Sequence, residues 1–266
     1  MEHFKSRRDY GMAKADASAT SEDWVTVDVI CVGDEPMLCN PMSRDQLIAI
    51  GEKKTVKWPT DRPIIEQADE KAKLMMDLDG YYGFRRQWLI GALKEAGRNV
   101  ETGKAAKQKI STATTTRLRG LVRIVPDCLT TDADGEKFIR FSSHSPYERD
   151  VRKGSSNATA GKSAVAVAIV RPLFRNWEFR VRILVSREIE ISRIRSLFEI
   201  AGSNQGLGDF RPGVGGEFGC FAVEAFTVYK TGDEIPDFEL STFTVEPEAA
   251  IDPSSNGKAT KVTASA

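Results

Sequence analysis

Arg180 and Arg182 alternate with Phe179, Val181 and Ile183 in the run WEFRVRILV, residues 177–185. In an extended strand that spacing sends the apolar set to one face and both guanidiniums, beside Glu178, to the other. A second concentration of positive charge lies upstream. Between Arg85 and Arg123 the cations Arg85, Arg86, Lys94, Arg98, Lys104, Lys107, Lys109, Arg117, Arg119 and Arg123 greatly outnumber the acids. A third feature is GLGDFRPGVGGEFGCFAV, residues 206–223, where glycines surround the step Phe210–Arg211–Pro212 and run into an apolar strand. Glycine lets a backbone approach a neighbour that a Cβ would hold off. Guanidiniums along a phosphate backbone, with an aromatic ring to stack on a base, are the elements of single-strand recognition. The candidate nucleic-acid-binding set is therefore Arg85, Arg86, Lys94, Arg117, Arg119, Arg171, Arg180, Arg182, Gly206, Gly208, Phe210 and Arg211. Two plainer readings stand beside it: a run of charge is usually a solvated face, and glycine loops serve packing as often as binding.

Other spacings imitate catalytic or cofactor motifs and fail their requirements. GSSNATAGKS (154–163) ends like a phosphate-binding loop, but Ser156 stands where the first glycine belongs, and the segment leads into a strand rather than a helix. Gly206-x-Gly208 has no third glycine at dinucleotide spacing and no preceding strand. His144 lies among Ser142, Ser143 and Ser145, yet a lone loop histidine is more often merely exposed. The only other histidine is His3, and Cys31, Cys39, Cys128 and Cys220 form no close pair, so neither a metal site nor a cofactor is expected. No catalytic residue is assigned, and a binding protein is favoured over an enzyme.

The 38 basic and 38 acidic residues cancel, so only the distribution of charge, not its total, speaks about partners. Unpaired thiols fit a reducing cytoplasm. The charged N-terminus does not read as a signal peptide, and the longest apolar run, AVAVAIV (164–170), is too short to span a bilayer.

The elements that must position these residues follow from periodicity. Residues 24–32 alternate as a strand, and 83–100 carry Phe84, Trp88, Leu89, Ala92, Leu93 and Ala96 at helical spacing. Residues 120–126 form a short strand, and 132–141 the tip of a hairpin turning at Asp134–Gly135. Residues 143–163 read as a long polar loop, followed by strands at 164–172 and 177–185. A second helix is expected with Ser192 as N-cap and Gly202 as its stop, before a final strand at 220–228. Strand, helix, strand, strand, helix, strand is the split pattern of an α+β, ferredoxin-like or RRM-like domain: an antiparallel sheet with two helices on one face, here with insertions. The expected organisation is a disordered arm over 1–22, a domain over 23–230 with insertions at about 33–82 and 101–163, and a disordered, acidic tail over 231–266. In such a sheet Arg180 and Arg182 stand on the open face, and the tail is dispensable for folding.

The blocks VTVDVICVGDEPMLCN, YYGFRRQWLIGALKEAGR, FRNWEFRVRILV and LFEIAGSNQGLGDFRPGVGGEFGCFAV resemble a widespread group of phage and prophage proteins. That group is similar to the RAMP superfamily, in particular to the repeated backbone subunit of CRISPR interference complexes, which polymerises along guide RNA. The resemblance covers roughly 24–229 in patches, and the glycine-rich loop ahead of the last strand is its most specific part. It implies a non-catalytic protein that binds single-stranded RNA or DNA, assembling as a homo-oligomer or within a nucleoprotein complex, with no membrane partner. A structural assembly subunit that touches only protein, or a RAMP-type endoribonuclease, are the alternatives.

Overall fold

The computed structural model describes residues 23–54, 58–103, 108–155 and 166–244. Lys104, Lys107 and the Gly161–Lys162–Ser163 segment lie outside them, as do the N-terminal arm over 1–22 and the tail from 245 on. In chain order the elements are β1 (Trp24–Gly33), β2 (Met37–Leu38), α1 (Arg44–Gly51), α2 (Gln67–Lys73), β3 (Gly83–Arg85), α3 (Arg86–Ala96), α4 (Leu118–Leu121) and β4 (Val122–Ile124). They continue with β5 (Thr130–Thr131), β6 (Lys137–His144), β7 (Tyr147–Ser155), β8 (Ala166–Phe174), β9 (Trp177–Ser186), α5 (Ile191–Ile200) and β10 (Phe221–Tyr229).

The fold is α+β with antiparallel sheets. In the larger sheet β1 lies between β10 and β9. The other edge of β9 is shared: β4 pairs with residues 183–185 and β6 with 177–179. Strands β3 and β5 extend the sheet from β6. Alternation accounts for its buried face. Val27, Val29 and Cys31 of β1 and Phe179, Val181, Ile183 and Val185 of β9 are fully buried, against Leu89, Leu93 and Ala96 of α3 and Ile194, Leu197 and Phe198 of α5. Burial of each large apolar side chain is worth about 1.5–3 kcal/mol, so this layer holds the two helices onto the sheet. The smaller sheet is β2–β8–β7.

Several elements differ from the periodicity reading. The helix expected over 83–100 begins at Arg86, because Gly83–Arg85 is a strand. A Cβ at Gly83 would collide with the carbonyl oxygen of Ile139, and its absence lets β3 lie against β6. The piece over 120–126 is a helical turn followed by only three strand residues. Half of the polar loop over 143–163 is β7, paired residue for residue with β8. Its nearly continuous charge, carried on both faces of an edge strand, masked the β pattern. Helix α5 starts one residue before Ser192, with Glu190 at its N-cap and no side-chain cap. Gly202 does not stop it: Ala201–Gln205 continue as a π turn that ends at Gly206, whose φ is +65°. The hairpin at Asp134–Gly135 does form, with Gly135 at φ +82° and the Asp132 carboxylate accepting from the backbone N–H groups of Asp134 and Glu136.

The largest difference is the tail. Residues 231–244, expected to be disordered, cross the sheet face opposite the helices as an extended strap. Phe238 packs against the core, and the carbonyl oxygens of Pro236 and Ser241 accept from Arg182 and Arg140. Its composition is polar, but Phe238 meets Arg180 and Arg182, and Phe243 meets the His144 ring.

Candidate functional site

Arg180 and Arg182 do stand on the face away from the helices, where the alternation puts them. They do not stand free. Arg182 donates Nε to Asp28 Oδ1 at 2.6 Å and Nη2 to Oδ2 at 3.0 Å, and Arg180 donates Nη2 to Asp28 Oδ2 at 2.6 Å. The register explains the meeting, since Asp28 lies directly opposite Arg182 across the β1–β9 ladder. Burial pushes the Asp28 carboxyl up, and the hydrogen bonds and charge of the two arginines outweigh it, leaving the pKa below the usual carboxylate value. Phe238 of the strap covers both guanidiniums at 4.9 and 5.5 Å from its ring centroid. With one carboxylate shared between them and a protein segment above, these arginines hold the strap down.

Three more of the expected residues are engaged in the same way. Arg85 pairs with Asp132 at 2.7 Å and with Asp134. Arg117 reaches Gln108 at 3.1 Å and Glu188 at 3.3 Å. Arg171 is buried and bonded to Asp209 at 2.6 Å, tying β8 to the glycine loop.

The glycine loop has a geometric explanation inside the chain. A Cβ at Gly202, Gly216 or Gly219 would fall within the radius of the carbonyl oxygens of Phe221, Phe210 and Leu207 respectively, and one at Gly208 would meet that of Leu38. Gly206 is buried at positive φ, beside the carbonyls of Phe218 and Gly219. The close approach that glycine permits is thus to neighbouring protein backbone. What the loop shows to solvent is Phe210, 46% exposed and held at φ +49°, with the half-exposed Arg211 beside it. This loop enters β10 where Phe221 opposes Gly33, at the far end of β1 from Trp24.

Arg86, Lys94 and Arg119 are brought together. They line a groove of about 520 Å³ between α3 and the α4–β4 segment, with Arg123, Gln87, Ile90, Gly91, Val122 and Ile124 completing its wall. Arg86 and Lys94 share one side of α3, and Ile90, midway between them, forms the floor. Arg119 faces them from α4, whereas Arg123 lies at the groove's rim on β4, where its register opposite Leu184 sends its side chain to the strap's face of the sheet. Among the described residues no carboxylate lies within ion-pair distance of any of the four. The buried Nε of Arg86 has no hydrogen-bond partner. Three cations with no carboxylate partner among the described residues, over an apolar floor and with Arg123 at the rim, attract an extended polyanion such as a phosphodiester chain. Sequence reasoning placed Arg123 in the basic run but not in the site; its exposure on a three-residue edge strand was the signal available.

His144, expected to stand exposed in a loop, instead ends β6. It is buried, its ring lies among those of Tyr82, Phe141, Phe174 and Phe243, and burial depresses its pKa although the Ser145 carbonyl works the other way. Burial also raises the thiols of Cys31 and Cys39, and that of Cys128 to about 11, so these are packing groups. Among the described residues no cluster of His, Cys, Asp and Glu could hold a metal ion, and no helix is long and apolar enough to cross a membrane.

No protein-family profile matches the sequence, and no curated protein does. Among solved structures the chain is similar to one from the Type III-B Cmr-beta complex bound to cognate target RNA, seen by cryo-electron microscopy, with 17% identity and a TM-score of 0.47. The match covers 79% of this chain and 62% of the other, so this chain spans less than two thirds of the length of the one it resembles.

Proposed function

We propose that this protein binds single-stranded nucleic acid, RNA or DNA, through the phosphate backbone, and that the groove between α3 and α4–β4 is where the strand lies. The observation that carries the reading is the division among the candidate cations. Arg85, Arg171, Arg180 and Arg182 are spent on buried or half-buried carboxylates, whereas Arg86, Lys94 and Arg119 share one groove, with Arg123 at its rim and no acid among the described residues that line it. A ferredoxin-like arrangement fits as the scaffold: β1, β4, β9 and β10 stand in the spatial order β10–β1–β9–β4, with α3 and α5 on one face. In this reading the site sits at the helix-side edge of the sheet, because the strap occupies the open face. The protein acts by holding a strand rather than cutting it. Several copies side by side on one longer strand make the nucleoprotein form, consistent with the glycine-block resemblance to RAMP-type backbone subunits.

The test is fluorescence anisotropy of labelled DNA and RNA oligonucleotides across a salt series. Four phosphate contacts give a slope of log affinity against log salt of about −3, at roughly 0.7 per contact for a single strand. Lys94→Ala and Arg119→Ala should each flatten it by about 0.7 with the melting temperature unchanged. Parent-like binding by the doubly substituted protein, or no salt-dependent binding by the parent, would refute the groove.

A further inference from the structure

We propose that Trp24 takes one unpaired base at the end of this groove, with Arg123 as the placeholder on its ring when no strand is bound. The proposal rests on the groove reading and adds to it a contact to a base. Arg123 lines the groove, and its guanidinium lies 4.3 Å from the centroid of the Trp24 ring. The register brings them together: Arg123 opposes Leu184 from one side of β9, Thr26 opposes it from the other, and Trp24 is two residues before Thr26 on the same face. A strand leaving the groove round the short edge strand β4 therefore passes Arg123 and arrives over Trp24.

Comparison with the other arginine–ring pairs makes this one unusual. Arg62 over Trp58, Arg140 over Tyr81, Arg152 over Phe218, Arg180 and Arg182 over Phe238, and Arg182 also over Tyr229 are the others described. Each of those arginines is also fixed by a carboxylate, from Glu66, Asp77, Asp150 and Asp28 respectively, the last serving two. Arg123 has no carboxylate among the described residues. Its place on the ring is held by the cation–π contact alone, which a phosphate can outbid by accepting a charge-assisted hydrogen bond. When Arg123 turns to the phosphate, it uncovers the face of a partly exposed indole on which a base can stack. Among the described residues none of the strap's hydrogen bonds reaches either residue.

Binding of a normal oligonucleotide and of the same strand made wholly of abasic sites separates the two layers of the argument. The parent should hold the normal strand roughly tenfold more tightly. Trp24→Ala should bring that ratio close to one at an unchanged salt slope, and Trp24→Phe should keep most of it. Trp24→Leu serves the same purpose should the alanine variant not fold. A parent ratio of one, or a ratio that survives loss of the ring, overturns the base contact while leaving the groove intact. Failure of both strands to bind overturns the groove and the base contact with it.

Discussion

Phe238→Ala probes whether the strap is part of the folded domain. The ring lies over two guanidiniums, and each cation–π contact of this partly desolvated kind is worth about 1 kcal/mol. Half-burying a phenyl ring adds about 1–1.5 kcal/mol. The loss should therefore be about 2–3 kcal/mol, lowering the melting temperature by roughly 5–10 °C for a domain of this size. Phe238→Leu keeps the apolar bulk and forfeits only the ring face, so it should cost about half as much. Truncation after Lys230 should cost at least as much as Phe238→Ala, since it also removes the acceptors at Pro236 and Ser241. Thermal unfolding followed by circular dichroism reads all three. A Phe238→Ala protein that melts within a degree of the parent would show that the strap contributes nothing, and the covered sheet face would again be open to a partner.

Two further outcomes follow from the geometry. Gly219→Ala should destabilise by roughly 3 kcal/mol or more, because its φ is +71° and the new Cβ would overlap the Leu207 carbonyl, whereas Gly91→Ala, facing open space on α3, should stabilise by up to about 1 kcal/mol; denaturant titration ranks them. Stability should fall in two acid steps. His144 is held neutral by burial, so its folded pKa lies below 6.5, and stability present above that value is lost as pH drops from there through the folded pKa. Asp28 has a folded pKa below 3.8, so its contribution is complete above that value and disappears only as pH falls through the lower one. His144→Phe should erase the first step and Asp28→Asn should shrink the second, in unfolding measured from pH 8 to pH 3. Asp77, pushed up by burial but held low by Arg140, also contributes to the second.

The strand and helix order was legible because its signals are local. Val27, Val29 and Cys31 alternate within one segment, and Leu89, Leu93 and Ala96 repeat within another, so each buried face can be read from neighbours in the chain. The β7 strand was not legible, because it carries Glu148, Arg149, Asp150, Arg152 and Lys153 in nine residues and only pairing with β8 makes it β. The strap was missed for the same reason: what orders it is Arg182 and Arg140, far away in sequence.

The site shows most clearly which information a sequence withholds. Charge type and spacing found every cation of the groove within the run from Arg85 to Arg123, and correctly sent Arg180 and Arg182 to the face opposite the helices. What spacing cannot show is whether a cation is already matched. Asp28 lies more than 150 residues before Arg182 in the chain and directly opposite it in the sheet. Asp132 and Asp134 likewise reach Arg85 only through the β5–β6 hairpin. A guanidinium held by a buried carboxylate has little left to offer a phosphate, since leaving that carboxylate unpaired costs several kcal/mol. Arg119 and Lys94, by contrast, lose only hydration when a phosphate arrives. In the proposed reading, which positive residues can meet a strand is decided less by where they lie in the sequence than by which of them the fold pairs with an acid, and for Arg85, Arg180 and Arg182 that pairing is made by strand register.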